Sequence, residues 1–203
     1  SLTWLPRYED VVFHFRETEH GLKALYRGGH LLEFAVLTEA ELQLARLNRY
    51  RILLDKAKLS SKLAELALTT QDFVAQSRKQ PNKHFAEFLM NIFVGVGRQV
   101  RGEQLSSRHF IKTHALTHLL QLLIQLIPAE EEQLLDNLDP FRRFERVYPT
   151  LGAELNHILA QDTLSAAENL LQFATLQLRP YLIHYPETAV AEATFLQVAE
   201  DTA

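Results

Sequence analysis

A carboxylate in the middle of an apolar strand needs a reason, and Glu33 is such a residue. In Leu31-Leu32-Glu33-Phe34-Ala35-Val36-Leu37 alternation puts Leu31, Glu33 and Ala35 on one face and Leu32, Phe34 and Val36 on the other. Two roles fit that position. The first is a solvated face. The second is a cleft in which the carboxylate works as a base or metal ligand, apolar neighbours raising its pKa toward the working range.

Histidine and arginine supply the other candidates. The chain has nine histidines, and His114 and His118 stand at i, i+4, so two imidazoles could grip one zinc ion from a single helix face. The pattern is not that of the zincins: Ala115 stands where their glutamate would be, and no third ligand is evident. A satisfied histidine in a helix interface is the alternative. Arg108-His109-Phe110-Ile111-Lys112-Thr113-His114 also fits the loose arginine-to-histidine spacing of HEPN-type ribonucleases, which are built on an α-bundle. That resemblance implies Arg108 stabilising a phosphorane and His114 acting as acid and base, without metal.

Two arginine groups are ambiguous in the same way. Arg98, Arg101 and Glu103 cluster at a helix end, where cations favour the helix dipole, or where Arg101 meets a phosphate or substrate. Arg142, Arg143 and Arg146, with Glu145, repeat the case, with Arg142 and Arg146 placed on one helix face at i, i+4. Such rows are either solvated or bind phosphate.

The elements that must position these residues change character along the chain. Asp10–Arg16, Leu22–Arg27 and Leu31–Leu37 are short, rich in β-branched and aromatic residues, and separated by Gly21 and by Gly28-Gly29. They predict a three-stranded antiparallel meander. Thr38, ahead of Glu39 and Glu41, predicts the cap of a short helix running to Asn48, and Tyr50–Asp55 reads as a fourth strand. From Leu59 onward apolar residues recur at helical spacing. Helices are expected from Leu59 to Pro81, Lys83 to Arg101, Ser106 to Ile127, Ala129 to Asn137, Pro140 to Val147, Leu151 to Ala160, and Thr163 to Leu182 with Thr163 as cap. The fold class is therefore α+β, a small antiparallel or mixed sheet at 1–57 followed by a larger all-α bundle at 58–203.

Composition removes several function classes. A formal charge of −4, from 21 Lys plus Arg against 25 Asp plus Glu, gives no cationic field for nucleic acid, which is not an expected partner. With no cysteine there is no disulfide, thiolate metal site or cysteine nucleophile, which is compatible with a cytoplasmic location. The apolar stretch Leu116–Ile127 falls short of the roughly 20 residues of a membrane helix. A non-catalytic interaction protein also fits. Its apolar helix faces, with Val190, Ala193, Phe195 and Val198 of the tail, would serve a homodimer or another partner.

The segment from Trp4 to Leu42 (WLPRYEDVVFHFRETEHGLKALYRGGHLLEFAVLTEAEL) resembles the latter part of the nucleotidyltransferase-fold domain of lincosamide and aminoglycoside nucleotidyltransferases. In that family a strand carrying Glu-Phe follows a glycine-containing turn and precedes a short helix. Phe85–Glu103, ending in Arg-Gly-Glu, and Leu138–Pro149 (LDPFRRFERVYP) look like helices of its carboxyl-terminal domain. By that resemblance Glu33 is the family's third acidic position, which deprotonates the attacking hydroxyl or helps hold magnesium. Arg101, Glu103 and Arg142 become nucleotide- or substrate-binding candidates, and ATP with Mg2+ the nucleotide donor to a small-molecule acceptor. The family's Gly-Ser turn and Asp-x-Asp pair, which grip phosphates and metals, should precede Glu33, and neither occurs in the 203 residues. The expectation is that they lie upstream of Ser1, in a sheet the chain enters midway, and that the chain does not catalyse transfer by itself. The alternative is a degenerate relative without catalysis.

Overall fold

A computed structural model describes residues 2–77, 80–136 and 138–182, and the chain falls into two compact units, Ser1–Ala67 and Leu68–Ala203. The fold is α+β, a small antiparallel sheet followed by a helical region.

In the first unit, strands β1 (Val11–Arg16), β2 (Gly21–Tyr26) and β3 (Leu31–Ala35) form a meander in the order β1-β2-β3. Gly29 takes a left-handed φ of 79° in the β2–β3 turn, which only glycine adopts without cost. The register sets Phe15 beside Lys23 and Lys23 beside Glu33 on one face, and His14 beside Ala24 and Ala24 beside Leu32 on the other. Among the described residues of this unit, those that cover the sheet pack on the second face. Leu2 and Leu5 fold over it against buried Ala24, with Tyr8, Leu22, Leu32 and Phe34 around them, and the Tyr26 hydroxyl ties the cover down by donating to the Pro6 carbonyl at 3.0 Å.

Beyond β3 the expected elements shift. The helix expected after Thr38 is a single 3-10 turn, Ala40–Leu44, with the Glu41 carboxylate accepting from both the Thr38 hydroxyl and its backbone N–H. Tyr50–Asp55 is not a strand, and Leu53 and Leu54 in it are exposed. Asp55 instead opens helix α1 (Ser60–Ser77): its carboxylate accepts from the backbone N–H groups of Leu59 and Ser60 and from the Ser60 hydroxyl, which holds its pKa below the usual carboxylate value.

In the second unit, α2 (Pro81–Val100) begins at Pro81, the residue expected to end the preceding helix. Proline suits the first helical position because its missing N–H has no intrahelical partner there. Phe85, Phe88, Leu89, Ile92 and Val96 line the buried side of α2, and Gly102, at φ 79°, turns the chain after it. The expected helix Ser106–Ile127 is three consecutive pieces: α3 (Gln104–His109), a π-helical segment (Phe110–Ala115) and α4 (Leu116–Leu126). Of the expected Ala129–Asn137 helix only a 3-10 turn, Glu132–Leu134, forms. Then come α5 (Phe144–Val147), α6 (Pro149–Leu159) and α7 (Thr163–Leu178). Asp162, not Thr163, caps α7, its carboxylate accepting from the Ser165 N–H at 3.0 Å, while Thr163 is buried.

The core of this unit is centred on Phe88, Ile92, Ile111, Leu119, Leu122, Leu123 and Leu170. Two glycines permit its closest approaches. A Cβ on Gly95 would lie 2.5 Å from Ile111 Cγ1, so α2 meets the π segment only because residue 95 has no side chain. A Cβ on Gly152 would lie 2.9 Å from Glu145 Cα, which fixes α6 against α5 in the same way. Among the described residues no helix is long and apolar enough to cross a membrane.

Candidate functional site

Glu33 lies at the middle of β3 on the uncovered face of the sheet, 56% exposed. One of its oxygens, Oε1, is 2.9 Å from Lys23 Nζ, and the same ammonium is 2.7 Å from Glu17 Oε1. The hydrogen bonds Lys23 donates to Glu17, foremost, and then to Glu33 raise its pKa above the usual lysine value, so Lys23 is a permanent cation between two carboxylates. Phe13, Phe15 and Leu31 are exposed around this triplet. The site is thus an accessible carboxylate on a partly apolar, open sheet face, with an ammonium where a metal ion bridging Glu17 and Glu33 would have to sit. Among the described residues no group of three His, Asp or Glu side chains is disposed to hold a metal. The residues present therefore do not fit a magnesium site.

The arginine groups are occupied by neighbouring carboxylates. Glu103 receives Arg98 Nη1 at 2.7 Å and Arg101 Nε at 2.9 Å; Arg101 foremost, then Arg98, hold its pKa below the usual value. Arg98 also stands over the Phe110 ring at 5.1 Å, so this cluster knits the end of α2 to the π segment. Arg142 and Arg146 do not share a helix face, because α5 begins only at Phe144 and Arg143 before it is left-handed, with φ 66°. Asp136, its side chain 9% exposed, instead gathers Arg142 Nη1 at 3.0 Å and Arg143 Nη2 at 3.4 Å, and Arg143 Nη1 donates to the Leu134 carbonyl. Arg142 and Arg143 brace the segment before α5.

His114 and His118 each meet a different histidine rather than one another. His118 meets His84 of α2, Nδ1 to Nδ1 at 3.1 Å, with ring centroids 5.4 Å apart. That separation is about the nitrogen gap plus the two ring radii, so the nitrogens point head-on, as in an N–H···N hydrogen bond. Two nitrogens holding one ion would converge at an angle and draw the centroids closer. Burial first, then His84, lowers the His118 pKa, as expected of a neutral histidine in a helix interface.

His114 stacks edge-on against His109 at 4.4 Å and against Phe110 at 5.4 Å. The π segment explains the first contact, since an i→i+5 repeat brings residues five apart onto one side, where α-helical spacing would separate them. It also carries Ile111 onto Gly95 and lets Lys112 reach the end of α6, where its ammonium donates to the carbonyls of Leu159 (2.7 Å) and Gln161. Burial and the nearby Arg108 lower the Lys112 pKa. Arg108 and His114 are both exposed, and the structure pairs His114 with His109 rather than with Arg108.

Neither the interhelical His84 contact nor the Lys112 anchor follows from local spacing, because each joins residues more than thirty positions apart. Val190, Ala193, Phe195 and Val198, read as a partner surface, lie outside the described residues. Compared with known proteins, the chain matches no family model, no curated sequence and no solved structure.

Proposed function

We propose that this chain contributes to a nucleotidyltransferase that moves a nucleoside monophosphate from ATP to a hydroxyl of a small molecule of the lincosamide or aminoglycoside kind, in the cytoplasm. The observation that carries the reading is Glu33, an accessible carboxylate at the centre of a strand whose sheet is followed by an α-bundle. The acceptor is a neutral alcohol, which becomes a good nucleophile only as its proton leaves. Glu33 takes that proton while the oxygen bonds to the α-phosphorus and pyrophosphate departs. Lys23 fixes the Glu33 carboxylate on the sheet face and offsets its repulsion with Glu17.

Because these residues make no magnesium site, the role proposed for the chain ends at the proton. None of the described residues is assigned the grip on phosphates and metal, and the chain alone should form no nucleotidylated product from Mg-ATP and an acceptor. In the protein as the cell makes it, Glu33→Gln should abolish transfer and leave ATP affinity unchanged. Transfer at the wild-type rate would remove Glu33 from the chemistry.

A metal-independent ribonuclease is the second reading, favoured by one observation: His109 and His114 present two exposed imidazoles side by side, next to Arg108. It requires the chain to cleave RNA in the presence of a chelator and His114→Ala to stop the cleavage. No cleavage by the unsubstituted chain ends that reading.

A further inference from the structure

The sheet carries a second feature on the face opposite Glu33. A cleft of about 540 Å³ opens there, lined by Trp4, Tyr8 and Phe34 and by His14 and Arg16 of β1, and it reaches Phe15 at the β1 edge. Its volume falls within the roughly 300–1,000 Å³ typical of small-molecule sites, whereas the cavity between α4, α5 and α6, at about 240 Å³, falls below it.

The lining has a definite chemistry. Trp4 and Phe34 pack edge to face at 5.4 Å, yet Trp4 stays 63% exposed, so a broad aromatic surface remains open to a planar ring. Arg16 donates one N–H to the Glu19 carbonyl at 2.5 Å and forms no ion pair with a carboxylate among the described residues. The fork geometry of a guanidinium, with donors to spare, suits a phosphate or carboxylate. Glu17, next along the chain, is committed to Lys23 on the other face.

We propose that this cleft binds a planar aromatic ring joined to an anionic group, the ring against Trp4 and Phe34 and the anion on Arg16, with His14 beside it. The site does not rest on the nucleotidyltransferase reading, since strand alternation places it on the other side of the sheet from Glu33.

Trp4 is the only tryptophan in the chain and lies in the cleft, so its fluorescence reports occupancy directly. The titrants are adenosine monophosphate and 4-hydroxybenzoate, each without metal, with adenosine and inorganic phosphate as the separated halves. At least one of the first two should change Trp4 emission saturably, and the tighter of them identifies the ligand as a nucleotide or an aromatic acid. If that is the nucleotide, adenosine and phosphate should each bind at least about tenfold more weakly, and for either ligand Arg16→Ala should weaken binding by at least about tenfold, with Arg16→Lys recovering part of the loss. Glu33→Gln should bind as the wild type does. No saturable change with either titrant would overturn the proposal, as would affinity unaltered in both Arg16 variants.

Discussion

At the scale of single residues, the groups that govern this protein are mostly those whose partners lie far off in sequence. His118 shows the consequence for pH. Burial, reinforced by His84, Lys83 and His114 and opposed by Glu87, places its folded pKa below the ordinary imidazole value, while the unfolded chain titrates near about 6.5. Between those two values the unfolded state binds more protons, so stability rises with pH there. The contribution is present above the unfolded pKa and is lost as pH falls through the folded one. The melting temperature should therefore drop from about pH 6.5 downward, ahead of carboxylate protonation, and His118→Phe should flatten that slope. A profile identical in the two proteins would contradict the half-buried pair. Asp162 gives a second residue-scale expectation. Its carboxylate caps α7, so Asp162→Ala should cost about 1 kcal/mol in denaturant unfolding, and Thr163→Ser should leave the cap intact. The cap is legible as a Ser/Thr/Asp cluster, but its register is not, since Asp162 and Thr163 are both good caps and only burial of Thr163 decides between them.

At the scale of elements, strands are legible where short apolar and aromatic runs are separated by glycines, and β1 to β3 match the expected bounds to within two residues. Tyr50–Asp55 has the same local character and forms no strand, because Asp55 is used to begin α1 and no neighbouring strand takes up its backbone. Pro81 is ambiguous for a related reason: proline ends one helix or starts the next with equal ease, and tertiary packing of the residues after it decides. The π segment leaves no mark in the apolar periodicity, because Ile111, Ala115 and Leu116 remain inward through it. Its cause is tertiary, Ile111 seated on Gly95 and Lys112 held by the end of α6. Gly95→Ala should accordingly cost about 1–3 kcal/mol through overpacking against Ile111, and the double variant Gly95→Ala with Ile111→Val should recover part of the loss. Additive losses in a double-mutant cycle would show that the two positions do not meet.

At the scale of the whole molecule, the two units differ in how much they bury. Leu2, Leu5, Ala24 and Tyr26 are buried at the covered face of the sheet, while the helices of the second unit enclose a continuous core that includes four phenylalanines, Phe85, Phe88, Phe144 and Phe173, of zero to six per cent exposure. A three-stranded sheet that, among the described residues of its own unit, is covered on one face opens easily. Amide hydrogen exchange should therefore be fast in β1 and β3 and slow in the middle of α2 and α4, with protection differing by at least about a hundredfold. Equal protection would mean that the sheet is buttressed by more than the residues covering it.

The division also shapes the functional reading. The bundle holds Arg98, Arg101, Arg142 and Arg143 in ion pairs with its own carboxylates and His118 against His84, and the accessible carboxylate of chemical interest lies on the sheet. The most direct measurement is transfer of label from α-phosphate-labelled ATP to an acceptor hydroxyl by the natural protein and its Glu33→Gln variant, with ATP affinity measured on the same samples. The account predicts label transfer by the first, none by the second, and equal affinity in both. Equal transfer rates would contradict it.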